Sequence, residues 1–221
     1  ALLLGLLEGT TGPDMRHPAS LKGRRFGDLR GIAQADLDPK VAESYAESLR
    51  RLEQAGAEIV PLQVPELETA MGLSAILFTT EAYGLWKEVI EARPEVMFDK
   101  ILERFRSGAE FSGADYVAAW AKLEQARGAW DEAAAGFDAI LTPSCPILPP
   151  NLERLQQDQA YYVQANLLTL RNTRIGNLMG LCALSLPSGT PSCGLQILGQ
   201  PDCEEALLRL GASVEAALAV G

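Results

Sequence analysis

Residues 25–64 read RFGDLRGIAQADLDPKVAESYAESLRRLEQAGAEIVPLQV, and the order of patterns within them decides the fold class. Arg25–Ala33 reads as a strand interrupted by Gly27 and Gly31. Asp38-Pro39 then opens a helix. The Asp side chain can accept from the unpaired amides of the first turn, and Pro at the first helical position gives up no donor that is needed. Val41, Tyr45, Leu49 and Leu52 keep helical spacing, and Gly56 stops the run. Glu58–Val64, rich in Ile and Val, follows as a second strand. Strands joined through a helix of this length lie parallel, with a right-handed crossover. The class is therefore α/β, with at least one parallel βαβ unit in the sheet.

On either side of this unit the patterns are mostly helical. Ala1–Gly9 reads as the tail of an amphipathic helix closed by Gly9. It is too short for a membrane span, and it lacks the charged flank and cleavage site of a signal peptide. Downstream, Leu67–Glu91 carries apolar residues at 70, 73, 77 and 85, with Glu at 81. A shorter helix is expected over Glu95–Arg106, closed by Ser107-Gly108. Ser112, with Asp115 three residues on, opens a long helix in a capping-box arrangement. The periodicity of Tyr116, Trp120, Leu123, Trp130, Ala134 and Phe137 reads both tryptophans as core residues. A last helix covers 203–219, with Leu207, Leu210, Val214 and Leu218 on one face.

Two further apolar runs, Ala139–Leu141 and Cys182–Leu186, each end in Pro with a small hydroxyl residue beside it. Strands that stop this way deliver their last side chains to a sheet edge, where α/β proteins build their sites. A segment dense in Asn, Thr and Arg lies between them. The P-x-x-P-x-x-P-P spacing of Pro143–Pro150 reads as a loop leaving a buried strand, because Ile147 and Leu148 lie within it.

Composition narrows the partners. The 221 residues carry 19 Lys plus Arg against 29 Asp plus Glu, a net charge of −10, which argues against nucleic acid. The local basic cluster Lys22, Arg24 and Arg25 reads as the solvated start of a strand. The four cysteines at 145, 182, 193 and 203 form no C-x-x-C pair, and the single His17 is distant, so no metal site is expected. Nothing in this pattern demands disulfides, and a reducing cytoplasm is the default location.

No complete set of catalytic groups is visible. Ser188–Gly194 (SGTPSCG) is rich in hydroxyl groups but is not G-x-S-x-G, and Ser188 and Ser192 read as turn residues. The lone histidine has no partner pattern that would make it a base. None of the five lysines (22, 40, 87, 100, 122) follows a serine at S-x-x-K spacing, and no Gly-rich phosphate loop occurs. Nothing visible would activate Cys193. The paired acids Glu204-Glu205 and Asp99/Glu103 read as exposed helix faces, and Asp202 as a cap.

The chain as a whole resembles the C-terminal half of the amidase-signature hydrolases. That family's late region carries an Asp-x-x-(Leu/Ile)-x-Pro loop and then an Asn-(x)2-Gly-x-(Pro)-Ala-x-x-x-Pro-x-Gly run. These resemble the FDAILTPSCPILPP segment from Phe137 and the RNTRIGNLMGLCALSLPSG segment from Arg171. ALLLGLLEGTTGPDMRHPAS at the start, Leu52-x-x-x-Gly56-Ala57-Glu58-x-Val60, and Arg104-(x)3-Gly108 with Tyr116 resemble further family segments. The resemblance implies an α/β/α layered domain around a mixed sheet, of which residues 1–221 are the C-terminal portion. It implies hydrolysis of a small-molecule amide, at a carbon–nitrogen bond other than a peptide bond. The family uses a serine activated by a second serine in a cis peptide and a lysine, without a cofactor. All three precede the region matched here, so no catalytic residue is carried over. The missing N-terminal half is the implied partner, and the chain alone is expected to be inactive.

What the resemblance does carry over is a wall of the substrate pocket: Thr142, Ser144 and Cys145 after the first strand, and Arg171, Asn172, Thr173 and Asn177 before the second. Two departures stand out. Family members usually have Pro where Cys182 stands. The glutamine-using components of tRNA amidotransferases, which resemble the family too, carry Asp seven residues before the Asn matched by Asn177. Leu170 stands there, followed by Arg171, which weakens that alternative. A non-catalytic binding or assembly module is the other alternative; such a module would seal its apolar faces, whereas a portion of a larger domain would leave one exposed. Self-association into a homodimer is left open.

Overall fold

The structure, a computed structural model, describes residues 1–219. In chain order the elements begin α1 (Leu2–Glu8), β1 (Arg25–Leu29), α2 (Pro39–Gln54), β2 (Glu58–Leu62), α3 (Glu66–Gly72), α4 (Ser74–Ala92), α5 (Asp99–Arg106) and α6 (Gly113–Ala134). They continue with β3 (Ala139–Pro143), α7 (Leu152–Gln157), α8 (Gln159–Thr169), α9 (Arg171–Met179), β4 (Cys182–Pro187), β5 (Gly194–Gly199) and α10 (Glu204–Ala219). The chain divides into two compact units, Ala1–Val64 with Ala133–Gly221, and Pro65–Glu132.

The first unit is built on a five-stranded sheet of order β2-β1-β3-β5-β4. β1 pairs parallel with both β2 and β3, and β5 pairs antiparallel with β3 and β4. The sheet is therefore mixed, as expected, and the carboxyl ends of β1, β2, β3 and β4 share one edge. One face is covered by α2 and α10. Tyr45, Leu52, Leu207, Leu210, Val214 and Leu218 join Phe26, Leu141, Leu195 and Ile197 in a single core. α9 covers the other face at Gly176, where an added Cβ would come within 3.4 Å of Leu198 Cδ2 and 3.9 Å of Ala183 Cβ. Layers of helix, sheet and helix follow.

Local signals explain most boundaries. Asp38 Oδ1 accepts from the Lys40 amide at 2.9 Å and starts α2. Gly56, at φ 93°, turns the chain into β2. β1 is shorter than the expected Arg25–Ala33: the chain leaves the ladder at Gly31, whose φ is 69°, and coils into a 3-10 turn over Gly31–Gln34. β2 ends at Leu62 and contains Pro61, which its position at the sheet edge tolerates. The late region holds three strands where two were expected, because β5 inserts between β3 and β4 through the turn at Ser188–Cys193. Ser188 and Ser192 both lie in that turn, as expected, and Gly189 and Ser192 take positive φ values of 85° and 65° there.

The second unit is helical. The expected helix over Leu67–Glu91 is two helices, broken at Gly72-Leu73, and Leu85 lies exposed past the break. α5 occupies only Asp99–Arg106 of the expected Glu95–Arg106, with a 3-10 turn at Pro94–Val96 before it. Gly108 sits directly on α4, where an added Cβ would lie 2.0 Å from the Thr79 carbonyl oxygen, so only glycine fits. Ser112 and Asp115 form the full capping box: the Asp115 amide donates to Ser112 Oγ at 3.1 Å and the Ser112 amide to Asp115 Oδ2 at 3.3 Å. Trp130 is buried, as expected. Trp120 is only half-buried, with its ring edge-on to Tyr116 and Arg127 over its face at 5.4 Å.

A buried carboxylate ties α2 to the sheet. Asp28 in β1 accepts from Gln34 Nε2 at 2.6 Å and from the Tyr45 hydroxyl at 2.8 Å, and it ion-pairs with Arg30. The Tyr45 hydroxyl also reaches the Leu141 carbonyl at 3.0 Å. Burial, and next the Asp28 charge, hold the Tyr45 pKa well above its ordinary 10.0. The folded state thus keeps this phenol protonated after the unfolded chain has begun to ionise it, so its contribution is complete below pH 10 and declines above it. Tyr45→Phe is expected to cost about 1.5–3 kcal/mol at neutral pH, the range for a hydrogen bond to a charged group. It should also flatten the loss of stability above pH 10. Urea unfolding of both proteins across pH 7–11 checks both outcomes.

Candidate functional site

The carboxyl edge of the sheet gathers most of the polar residues expected there. Thr142 is the penultimate residue of β3 and is fully buried, and its Oγ1 has no hydrogen-bond partner among the described residues. It pairs across the ladder with Gln196 of β5, which in turn pairs with Ser185 of β4. Gln196 is buried too, with its Oε1 likewise unpartnered. Because these strands alternate faces, the row Thr142–Gln196–Ser185 lies on the α9 side, away from the apolar core of the other face. Two buried acceptors left open side by side carry an unreturned desolvation cost.

Beyond β3, the Ser144 amide donates to the Gly194 carbonyl at 2.9 Å, and the Ser144 and Ser185 hydroxyls bond each other at 2.5 Å. The pair stands over Gly194, where an added Cβ would lie 2.8 Å from Ser144 Oγ. Cys145, next in the chain after Ser144, is a half-buried free thiol.

The Asn/Thr/Arg segment forms a helix, α9. The helix divides the four residues. Asn172 and Arg171 point inward. Asn172 Nδ2 donates to the Ala33 carbonyl at 2.9 Å and to the Pro143 carbonyl at 2.7 Å, clamping the turn after β1 to the end of β3. Arg171 Nη2 donates to the Ala35 carbonyl and Nε to Asn172 Oδ1 at 3.3 Å. Nη1 lies 3.9 Å from the exposed Asp36 carboxylate, and burial draws the Arg171 pKa below its usual value. Thr173 and Asn177 are exposed on the outer side, and Thr173 Oγ1 returns to the Leu170 carbonyl at 3.1 Å.

The edge therefore brings Thr142, Ser144, Cys145, Arg171 and Asn172 together, and leaves Thr173 and Asn177 on the far side of their helix. Sequence reasoning did not name Gln196 or Ser185. A Gln within the apolar run Leu195–Leu198 was the available signal. The chemistry on offer is recognition: amide and hydroxyl groups that donate or accept, and one guanidinium. Among the described residues no base is hydrogen-bonded to the Ser144–Ser185 pair, and no cluster of His, Cys, Asp and Glu could hold a metal ion.

Comparison with known proteins names the family. The amidase family model matches residues 13–208, and the chain belongs to that family. A 2-amino-5-chloromuconic acid deaminase of Comamonas testosteroni is 29% identical over 210 residues, which cover 92% of this chain and 45% of that protein. The A component of the glutamyl-tRNA(Gln) amidotransferase of Halobacterium salinarum is 28% identical over 243 residues, covering 94% and 56%. Among solved structures, an amidase crystal structure superposes with a TM-score of 0.78 at 23% identity, covering 97% of this chain and 49% of that one, a likeness of fold. The chain thus spans about half the length of the curated relatives it matches.

Stability separates clamp from open hydroxyl. Asn172→Ala strands two buried carbonyls and is expected to cost about 1–3 kcal/mol. Thr142→Val removes a hydroxyl that has no partner, and its stability should stay within about 0.5 kcal/mol of the parent or rise. Guanidinium unfolding of the two variants measures the contrast; equal losses would mean that the Thr142 hydroxyl is bonded after all.

Proposed function

We propose that residues 1–221 are the C-terminal portion of one amide hydrolase domain that cleaves small, non-peptide amides. In this reading the serine nucleophile, the second serine in a cis peptide and the lysine stand in an N-terminal portion of the same protein. The present chain supplies scaffold and one wall of the pocket. Membership of the amidase family carries the reading. It is supported by the carboxyl-edge cluster, rich in recognition groups and without an activated nucleophile. Leu2, Leu3, Leu6 and Leu7 of α1 are exposed, and among the described residues the outer edge of β4 is unpaired, features that suit a further portion of the same domain better than a sealed module.

Within the wall, Ser144 and Cys145 are the groups proposed to face substrate, Thr142 to stand buried behind them, and Arg171 and Asn172 to hold the β3 end in place. Thr173 and Asn177 touch substrate only if the pocket extends over the outer face of α9. The free cysteines suit a cytoplasmic protein, and no helix among the described residues is long and apolar enough to cross a membrane.

A second reading, the glutamine-using component of a tRNA amidotransferase, is favoured by several relatives that are amidotransferase components. Leu170, in place of the acidic residue that the glutamine-using proteins carry, weighs against it.

The full-length protein is expected to release ammonia or amine from small amides and to lose that activity to a serine-directed sulfonyl fluoride. Residues 1–221 alone, checked for folding by circular dichroism, should release none. In the full-length protein, Ser144→Ala should raise KM by about tenfold with little change in kcat, the signature of lost uniform binding. Turnover by the isolated chain would overturn the division of labour. Hydrolysis of glutamine only, in stable association with other proteins, would favour the second reading.

A further inference from the structure

Beyond the end of β3 the structure holds a groove of about 310 Å³ that the hydrolase reading has not used. Ile147, Leu148 and Pro150 of the loop after β3 line it, with Ala165 and Leu168 of α8. Asp38, ahead of α2, is the one charged group among its described lining residues. Backbone bonds hold the loop at both ends. The Asp38 amide donates to the Pro146 carbonyl at 2.9 Å, and the Asn151 amide donates to the Tyr161 hydroxyl of α8 at 3.1 Å. Between those two bonds, Pro149 and Pro150 restrict the backbone further. Ile147, Leu148 and Leu168 are only half-buried, so the groove keeps apolar surface open to solvent. Asp38 Oδ1 accepts from the Lys40 amide as the cap of α2, whereas Oδ2 takes no hydrogen bond or ion pair among the described residues. Arg154, over the Tyr161 ring at 4.1 Å, is paired with Asp158 at 3.4 Å. The open charge at the groove is therefore negative.

We propose that this groove binds an alkylammonium arm of the substrate: a short aliphatic chain along Ile147, Leu148 and Leu168, with a primary ammonium against Asp38 Oδ2. The inference rests on the hydrolase reading, since it takes the reacting amide to lie by Ser144 and Cys145. The loop links the two places. Ser144 and Ile147 are three residues apart in the chain, so their Cα atoms are separated by at most about 11 Å. An extended chain of about six carbons covers most of that distance. The groove volume falls at the low end of small-molecule pockets, about 300–1,000 Å³, which suits such a chain. Apolar walls favour the burial of its methylene groups. The end group is chosen by charge. An ammonium answers the open Asp38 oxygen, a hydroxyl leaves the charge in place, and a carboxylate sets two like charges together. The net charge of −10 draws cations and repels anions at longer range.

The experiment titrates the full-length protein with n-hexylammonium near pH 7 by ligand-observed NMR, with 1-hexanol and hexanoate as comparators of equal length. A Kd of about 1 mM is expected for n-hexylammonium, with 1-hexanol about tenfold weaker and hexanoate weaker still. Asp38→Asn keeps an equally good cap for α2. It should weaken n-hexylammonium by about tenfold and leave 1-hexanol within about twofold. Leu168→Gln, at a half-buried helical position, should weaken both probes by about threefold. As substrates, 6-aminohexanamide should exceed hexanamide by about tenfold in kcat/KM, a gap that Asp38→Asn closes. Three results would overturn the proposal: n-hexylammonium bound no more tightly than 1-hexanol; its binding unchanged in Asp38→Asn; or, in a protein that hydrolyses amides, a kcat/KM for 6-aminohexanamide no higher than for hexanamide. Failure of the hydrolase reading looks different. The Asp38-dependent binding of n-hexylammonium would persist in a protein that turns over no amide, which supports the groove and removes the activity assigned beside it.

Discussion

A carboxylate cannot be taken out of water without partners, and the Asp28 carboxylate within β1 sets the terms for the elements around it. Its partners come from the strand end (Arg30), from the turn that follows (Gln34) and from α2 (Tyr45). The same Tyr45 hydroxyl reaches the backbone of β3. One buried charge thus fixes the crossover helix, the turn and the neighbouring strand relative to one another. The apolar core beneath supplies most of the driving force but is less particular about register.

The turn after β1 is held from its other side by Asn172, which reaches over from α9 to Ala33 and Pro143. These two polar constraints meet at the carboxyl edge of the sheet, where α/β proteins bind ligands. The edge is consequently tied at its backbone and uneven in its side chains. Some polar groups there are fully employed in structure, whereas Thr142 Oγ1 and Gln196 Oε1 are buried and unemployed. Groups of the second kind are costly to fold.

The two edges of the sheet have different characters. The carboxyl edge holds hydroxyl and amide groups, while the amino edge holds the Cys182 thiol beside the turn at Gln200. Both depend on the antiparallel insertion of β5. It sets Gln196 beside Thr142 at one edge and Gly199 beside Cys182 at the other.

Local chemistry made much of this legible in advance. The Asp38-Pro39 start, the stops at Gly9 and Gly56, the Ser112/Asp115 capping box and the apolar face of α10 each rest on a few neighbouring residues, and each stands in the structure. The likeness to the amidase family was readable for a similar reason, since its motifs are contiguous segments of chain. The order of the strands was not, because pairing joins residues far apart in sequence and the run from Gly194 to Gly199 is too short to announce its partners. Nor could sequence divide Arg171 and Asn172 from Thr173 and Asn177. Which of four neighbouring polar residues turns inward depends on which face of α9 meets the sheet, and that is settled by packing around Gly176. The sequence by itself determined the element types and the family. Tertiary structure decided which polar atoms are spent on the fold and which remain open, because hydrogen-bond satisfaction depends on partners brought from elsewhere in the chain.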